Sequence, residues 1–329
     1  MLKRILCAGL LALPALAPAA DGEDVNITEW RVPWPDTRPR DPYVAPDGRI
    51  WFCGQDGGYL AVFDPGDESF RKYELGDGAG PHNLIVHPDG SVWYAGNKRS
   101  HIGRLVPKAG TLQKYSTPEE HAKDPHTLVW TQDRKIWFTA QWSNSVGRLD
   151  PETQEIALLK VPTEKARPYG IALDRAGRPW VALHGTNKLA VIDPQEMDLR
   201  EIELKRQGAR PRRIGVTSDG RVWYVDYAKG YLGAYDPISE NFEEWRTPGA
   251  ESSGPYGMAV DDNNRIWFVE TWQDPNRLVG FDPATRNFFT IKAIPSGAGT
   301  VRNIHYDAHG DVLWFGTDAN TLARAELPE

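Results

Sequence analysis

The chain has 329 residues, 40% of them hydrophobic, with 45 acidic side chains against 38 basic ones. The formal net charge of −7 leaves no basic surplus to neutralise phosphates, which argues against a nucleic-acid partner. Beyond residue 20 no run is long and apolar enough to cross a membrane, so no membrane span is expected.

The first 20 residues, MLKRILCAGLLALPALAPAA, place Lys3 and Arg4 before an apolar run that ends in small residues at Ala19 and Ala20. That order reads as a cleavable signal peptide and predicts a secreted or periplasmic protein, with residues 21–329 as one mature domain. Cleavage leaves Cys53 as the sole cysteine, so no intrachain disulfide is expected. Lying in the strand phrase WFCG, Cys53 reads as a buried small apolar residue. Next comes VNITEWRVP (Val25–Pro33), a strand with no pairing partner nearby in sequence.

From there one unit recurs. Trp51, Trp93, Trp137, Trp180, Trp223, Trp267 and Trp314 follow one another at intervals of 42, 44, 43, 43, 44 and 47 residues. A period in the low forties with a Trp-bearing strand fits a four-stranded propeller blade. The sixth unit shows the pattern: GPYGMAV is strand A, RIWFVET strand B, RLVGFDP strand C and RNFFTIKA strand D. Pairs such as Asp47-Gly48, Asp89-Gly90, Asp219-Gly220 and Asp262-Asn263 supply the A–B turns. Strand C repeatedly ends in Asp-Pro, at Asp64, Asp150, Asp193, Asp236 and Asp282, and these aspartates read as turn formers. The seventh unit runs out after strand C, near Ala325. The prediction is an all-β, seven-bladed β-propeller closed by the Val25–Pro33 strand completing the last blade. Closure leaves no long sheet edge to recruit another chain, so a monomer is expected.

Strand A lines the channel and pairs antiparallel with strand B, so the start of A and the end of B meet at one mouth. Taking the residue after each blade's opening Pro gives Tyr43, His82, His126, Tyr169, Arg212, Tyr256 and, without its Pro, Arg302. The residue four past each Trp gives Gln55, Asn97, Gln141, His184, Tyr227, Thr271 and Asp318. This polar and aromatic ring predicts a small-molecule or peptide ligand at the mouth, with Tyr43, Gln141, Tyr169, His184, Arg212, Tyr256, Arg302 and Asp318 as binding residues. Glu270 and Asp226, three past their tryptophans, should turn away from the channel. His87, His101, His121, His305 and His309 read as turn, surface or packing residues.

The phrases DPHTLVWTQDRKIWFTAQWSNSVGRLDP and GPHNLIVHPDGSVWYAGNKRSHIGRLVP resemble the blade motif of the streptogramin lyase (virginiamycin B lyase) family, and the resemblance runs over all seven blades. It implies a Mg²⁺-dependent β-elimination that opens a cyclic depsipeptide at its ester. The implied site is a His in one blade and a Glu-Pro-His opening with a strand-B Glu in the next. In blades 6 and 7 this chain has Tyr256, Thr300, Arg302 and Asp318 instead. The nearest match is displaced to blades 2 and 3, where His82, Asp124-Pro125-His126 and Gln141 stand. By that resemblance His126 is the candidate base, with Asp124 or His82 orienting it. As mouth residues these should lie outside the blade cores. Gln141 has no charge where the family has a carboxylate, which a hard cation prefers, so the metal ligands stay open. Two function classes follow: an exported lyase acting on a cyclic ester or depsipeptide, or a non-catalytic exported propeller that binds a ligand or protein. Convergence of His82, Asp124 and His126 on one point would favour the first, and a broad aromatic, basic mouth the second.

Overall fold

The computed structural model describes residues 25–76, 78–118 and 123–328. The signal-peptide reading of residues 1–20 lies outside that range, as does His121. The described strands form seven antiparallel four-stranded sheets, six of them sequential meanders. The seventh is composite: the strand Asn26–Arg31 pairs along Thr321–Glu326, from Asn26 opposite Glu326 to Arg31 opposite Thr321. Without this pairing the last blade would present a row of unpaired backbone groups.

Successive side chains of strand B point to opposite neighbours, as the pleat requires. In blade 1, Trp51 and Cys53 pack with Leu84, Val86 and Tyr94 of blade 2, while Ile50 and Phe52 pack with Trp314 and Leu322 of blade 7. Cys53 is fully buried, in line with its sequence reading. The recurrent glycine of strand C, followed by Arg in blades 2 and 3, has a packing cause. Gly103, Gly147 and Gly233 each sit opposite an aromatic ring, those of Tyr94, Phe138 and Tyr224. A Cβ at any of the three would fall about 2 Å from that ring, so only glycine fits. The next residue, Arg104 or Arg148, lays its guanidinium over the blade's Trp, 5.4 and 5.6 Å from the ring centres.

The Asp-Pro aspartates are turn formers. Asp64, Asp150, Asp193, Asp236 and Asp282 each accept the backbone N–H two residues on, at 2.8–2.9 Å.

The site is positioned by an irregularity shared by the inner strands, Pro39–Val44, Pro81–Val86, Pro125–Trp130, Pro168–Leu173, Pro211–Val216, Pro255–Val260 and Val301–Asp307. Pairing with strand B slips just after the start of every one of them, for example between Pro125 and Leu128. Such a slip releases side chains from strict alternation and re-aims them, here toward the channel.

Candidate functional site

Register corrects one member of the predicted ring. Tyr43 pairs with Trp51, as Ile85 pairs with Trp93 and Val129 with Trp137, so Tyr43 lies three residues too far along its strand. The residue equivalent to His82 and His126 is Arg40. The inner strand of blade 1, Pro39–Val44, contains two prolines, and Pro42 stood in for the true opening residue, Pro39. The signal was present in the sequence: Pro39, Pro81, Pro125, Pro168, Pro211 and Pro255 all stand 12 residues before their Trp, whereas Pro42 stands nine before. The ring at this mouth is therefore Arg40, His82, His126, Tyr169, Arg212, Tyr256 and Arg302.

Beneath the ring is a buried ionic plug that the sequence reading did not anticipate. Asp41 accepts from Arg40 Nε at 3.0 Å, Asn83 Nδ2 at 2.9 Å and Arg213 Nη2 at 3.2 Å. Arg213 also donates to Thr127 Oγ1 and to the Arg302 carbonyl, tying blades 1, 2, 3, 5 and 7 together across the axis. Burial alone would raise the Asp41 carboxyl; Arg40, Arg213 and the Asn83 amide outweigh it and hold the group below the ordinary carboxylate value.

His82 and His126 lie on this plug with ring centres 3.6 Å apart, and Tyr169 follows 4.1 Å from His126. Both imidazoles are held well below their ordinary pKa, His82 by burial and then Arg40 and Arg213, His126 by burial and then His82, Arg213 and Arg40. They are neutral at pH 7 and poor proton acceptors there. His126 is only 1% exposed, and its Nδ1 is 2.8 Å from Thr127 Oγ1. It is packed within the channel, against His82 and Tyr169, and not exposed at the mouth.

Asp124 does not orient it. Its carboxylate accepts the backbone N–H groups of Trp142 (2.6 Å) and Ser143 (3.1 Å) and the Ser143 hydroxyl (2.9 Å), closing the B–C turn. Burial raises the Asp124 carboxyl, against the opposing pull of those donors. Glu270 and Asp226 point away from the channel as expected: Glu270 takes the Gly249 N–H and pairs with Arg277, and Asp226 accepts the Arg210 N–H.

The remaining predicted residues do meet at this mouth. Tyr169 and Tyr256 share a short hydroxyl–hydroxyl contact. Arg212 lies 3.5 Å over Tyr256, 4.1 Å over Tyr227 and 5.1 Å over Tyr169. The two phenols shift in opposite directions although burial raises both: the guanidiniums of Arg212, Arg213 and Arg40 win at Tyr169 and lower it, while Tyr256, facing the Tyr169 charge, is raised. His184 sits 5.3 Å from Tyr169 and 6.0 Å from Tyr227. Arg302 forks onto Asp318, which also faces Arg38. Gln141 stands half-buried at the rim, next to Trp142, which is 60% exposed.

A sequence profile of the Virginiamycin B lyase family matches residues 25–325. The chain belongs to the virginiamycin B lyase family. The crystal structure of selenomethionine-substituted virginiamycin B lyase from Staphylococcus aureus has a TM-score of 0.84 to it at 20% identity, covering 93% of this chain and 100% of that one. A catalytically inactive histidine-to-alanine variant of the Staphylococcus aureus enzyme with quinupristin gives 0.84 at 21% identity, with the same coverage. The extracellular domain of a putative hybrid two-component system from B. thetaiotaomicron gives 0.66 at 14% identity over 88% of this chain and 40% of that one. At these identities the likeness shows the fold. No curated protein sequence matches the chain.

Family membership raises the question of Mg²⁺. Among the described residues no group of three His, Cys, Asp or Glu side chains is placed to hold a metal. At this mouth Asp41 and Asp318 are each engaged by two guanidiniums, and Asp124 is committed to backbone amides. A hard dication needs free carboxylate oxygen and would meet arginines instead, so these residues do not fit it.

A cavity of about 620 Å³ lies at the other end of the channel, lined by Tyr43, Val86, His87, Trp130, His305 and His309 among others. Tyr43 stacks there on His305 at 4.5 Å. The concentration of charged and hydrogen-bonding groups is at the opposite mouth, and size alone does not outweigh that chemistry.

Proposed function

We propose that this protein is an exported propeller of the lyase family that binds a small molecule or peptide at its cationic mouth and does not open a depsipeptide ester. The observation that carries the reading is the failure of the three candidate catalytic groups to converge. Asp124 is spent on the Trp142 and Ser143 amides, and His126 is sealed beneath Tyr169 and His82. Around them stands a broad aromatic and basic rim of Arg212, Arg302, Tyr227, Trp142 and Trp272. The basic, apolar and small-residue order of residues 1–20 supports export, and ring closure supports a monomer.

One observation favours a second reading, that of a lyase using His126 as base: two neutral imidazoles on adjacent blades lie in ring contact. Incubating the purified protein with a streptogramin B depsipeptide, with and without Mg²⁺, separates the two. No linear product is expected under either condition. A linear product that disappears in His126→Ala would replace the binding reading with the lyase.

A further inference from the structure

Next to the His82–His126 pair, on the far side of Tyr169, one sector of the mouth has guanidiniums without carboxylate partners. Among the described residues Arg167, Arg210 and Arg212 have no carboxylate partner, while Arg38, Arg40, Arg213 and Arg302 around the rest of the mouth all do. Arg167 lies over the exposed Trp142 ring at 4.3 Å, Arg210 donates to the Gly185 carbonyl, and Arg212 covers the tyrosines with its Nε unpartnered.

These three guanidiniums surround His184. After burial, Arg212, Arg210 and Arg167 in that order push its pKa down to about 3, so the ring is neutral. It is hydrogen-bonded to the Arg210 backbone, and its buried Nδ1 has no partner. In a neutral imidazole whose N–H is committed to a carbonyl, the second nitrogen is a lone-pair acceptor. The sector thus offers guanidinium donors for an anionic oxygen and, beside them, an acceptor waiting for a hydroxyl. Trp142 and Trp272 flank it, 60% and 48% exposed, and Trp272 Nε1 is fixed at 3.0 Å to the Tyr227 hydroxyl. Exposed indoles that are braced rather than free make faces for a ring.

We propose that the sector formed by Arg167, Arg210, Arg212 and His184 binds a sugar acid, its carboxylate on the guanidiniums, a neighbouring hydroxyl on His184 Nδ1, and its ring against the tryptophans. This rests on the mouth-binding reading above and names the ligand class. A neutral sugar leaves the guanidiniums unanswered, and a simple anion leaves Nδ1 unanswered.

The test is titration of the full-length mature protein with trigalacturonate, with the neutral galactose trisaccharide and with a streptogramin B depsipeptide, read by tryptophan fluorescence. Saturable quenching by trigalacturonate is expected, weakening as salt rises, with no response to the neutral sugar. Arg212→Ala should weaken binding about 10-fold or more, the usual loss for a charge-assisted bond. Arg167→Ala, on the rim, should weaken it several-fold. Absence of saturable binding, equal binding of the neutral sugar, or indifference to both substitutions overturns the sugar-acid inference. If the depsipeptide binds while trigalacturonate does not, the inference falls and the mouth-binding reading stands; if neither binds, both fall.

Discussion

At the start of the inner strands the channel is closed by ion pairs and stacked imidazoles, whereas at their far ends it widens into a cavity walled by Tyr43, Val86, Trp130 and His305. The same seven strands build both ends. What separates them is the register slip near each strand's start, which releases polar side chains toward the axis, while the regular pairing beyond it sends side chains alternately into the blade cores. The polar end is thereby over-determined: Asp41 answers two guanidiniums and an amide, and removing one partner strands the others. The aromatic end is held by ring contacts that fail one at a time.

The most direct way to break this contrast is Asp41→Ala. It leaves Arg40 and Arg213 charged and buried without a counter-ion, and should lower stability by about 3–5 kcal/mol, measured by urea unfolding. A loss below about 1 kcal/mol would mean that the plug is hydrated in solution and the two ends are alike.

Acid titration should act next most strongly. His82 and His126 at the polar end, His184 beside them and His305 at the other end all have folded-state pKa values below the ordinary imidazole value, His184 at about 3 and His305 at about 4. A depressed folded pKa means that the unfolded chain binds the proton first. Stability is therefore complete above about pH 6.5, the unfolded value, and falls as pH drops from there toward the folded values, by up to about 1.4 kcal/mol per pH unit for each imidazole. The groups facing the His82–His126 pair are Arg40, Arg213, Arg302, Asp41 and Tyr169, so protonation there meets mostly positive charge. Unfolding free energies at pH 7 and pH 5 should differ clearly in the parent. The difference should shrink more in His82→Gln/His126→Gln than in His305→Gln. Equal stability at the two pH values would show that these imidazoles are solvated.

These outcomes also bear on what was readable beforehand. Blade number, strand order and closure followed from the Trp period and the missing last strand, because repetition averages out local ambiguity. The mouth ring was legible to the same extent, with one error: a local Pro-x pattern at Pro42 was followed where distance to Trp51 would have selected Pro39. The plug was illegible because its members Asp41, Asn83, Thr127 and Arg213 come from four blades, and nothing in a one-dimensional order brings Asp41 to Arg213. Asp124 misled for a related reason. An Asp two residues before a His reads as its partner, yet both Asp124 oxygens are taken by the turn amides of Trp142 and Ser143.

The smallest expected effect isolates the aromatic end. Tyr43 is half-buried, stacks on His305 at 4.5 Å and packs against the cores on both sides of blade 2. Tyr43→Ala removes one ring contact and part of an aromatic wall while leaving no charge unpaired, so the loss should be about 1–2 kcal/mol, well below that of Asp41→Ala. Its effect on trigalacturonate binding should be nil, because the residue sits at the turn end of its strand and Arg212 at the opposite mouth. Calorimetric unfolding and the fluorescence titration on the same sample check both halves. If Tyr43→Ala weakened binding as strongly as Arg212→Ala, the plug would be transmitting between the mouths, and the channel would have to be treated as one site with two openings.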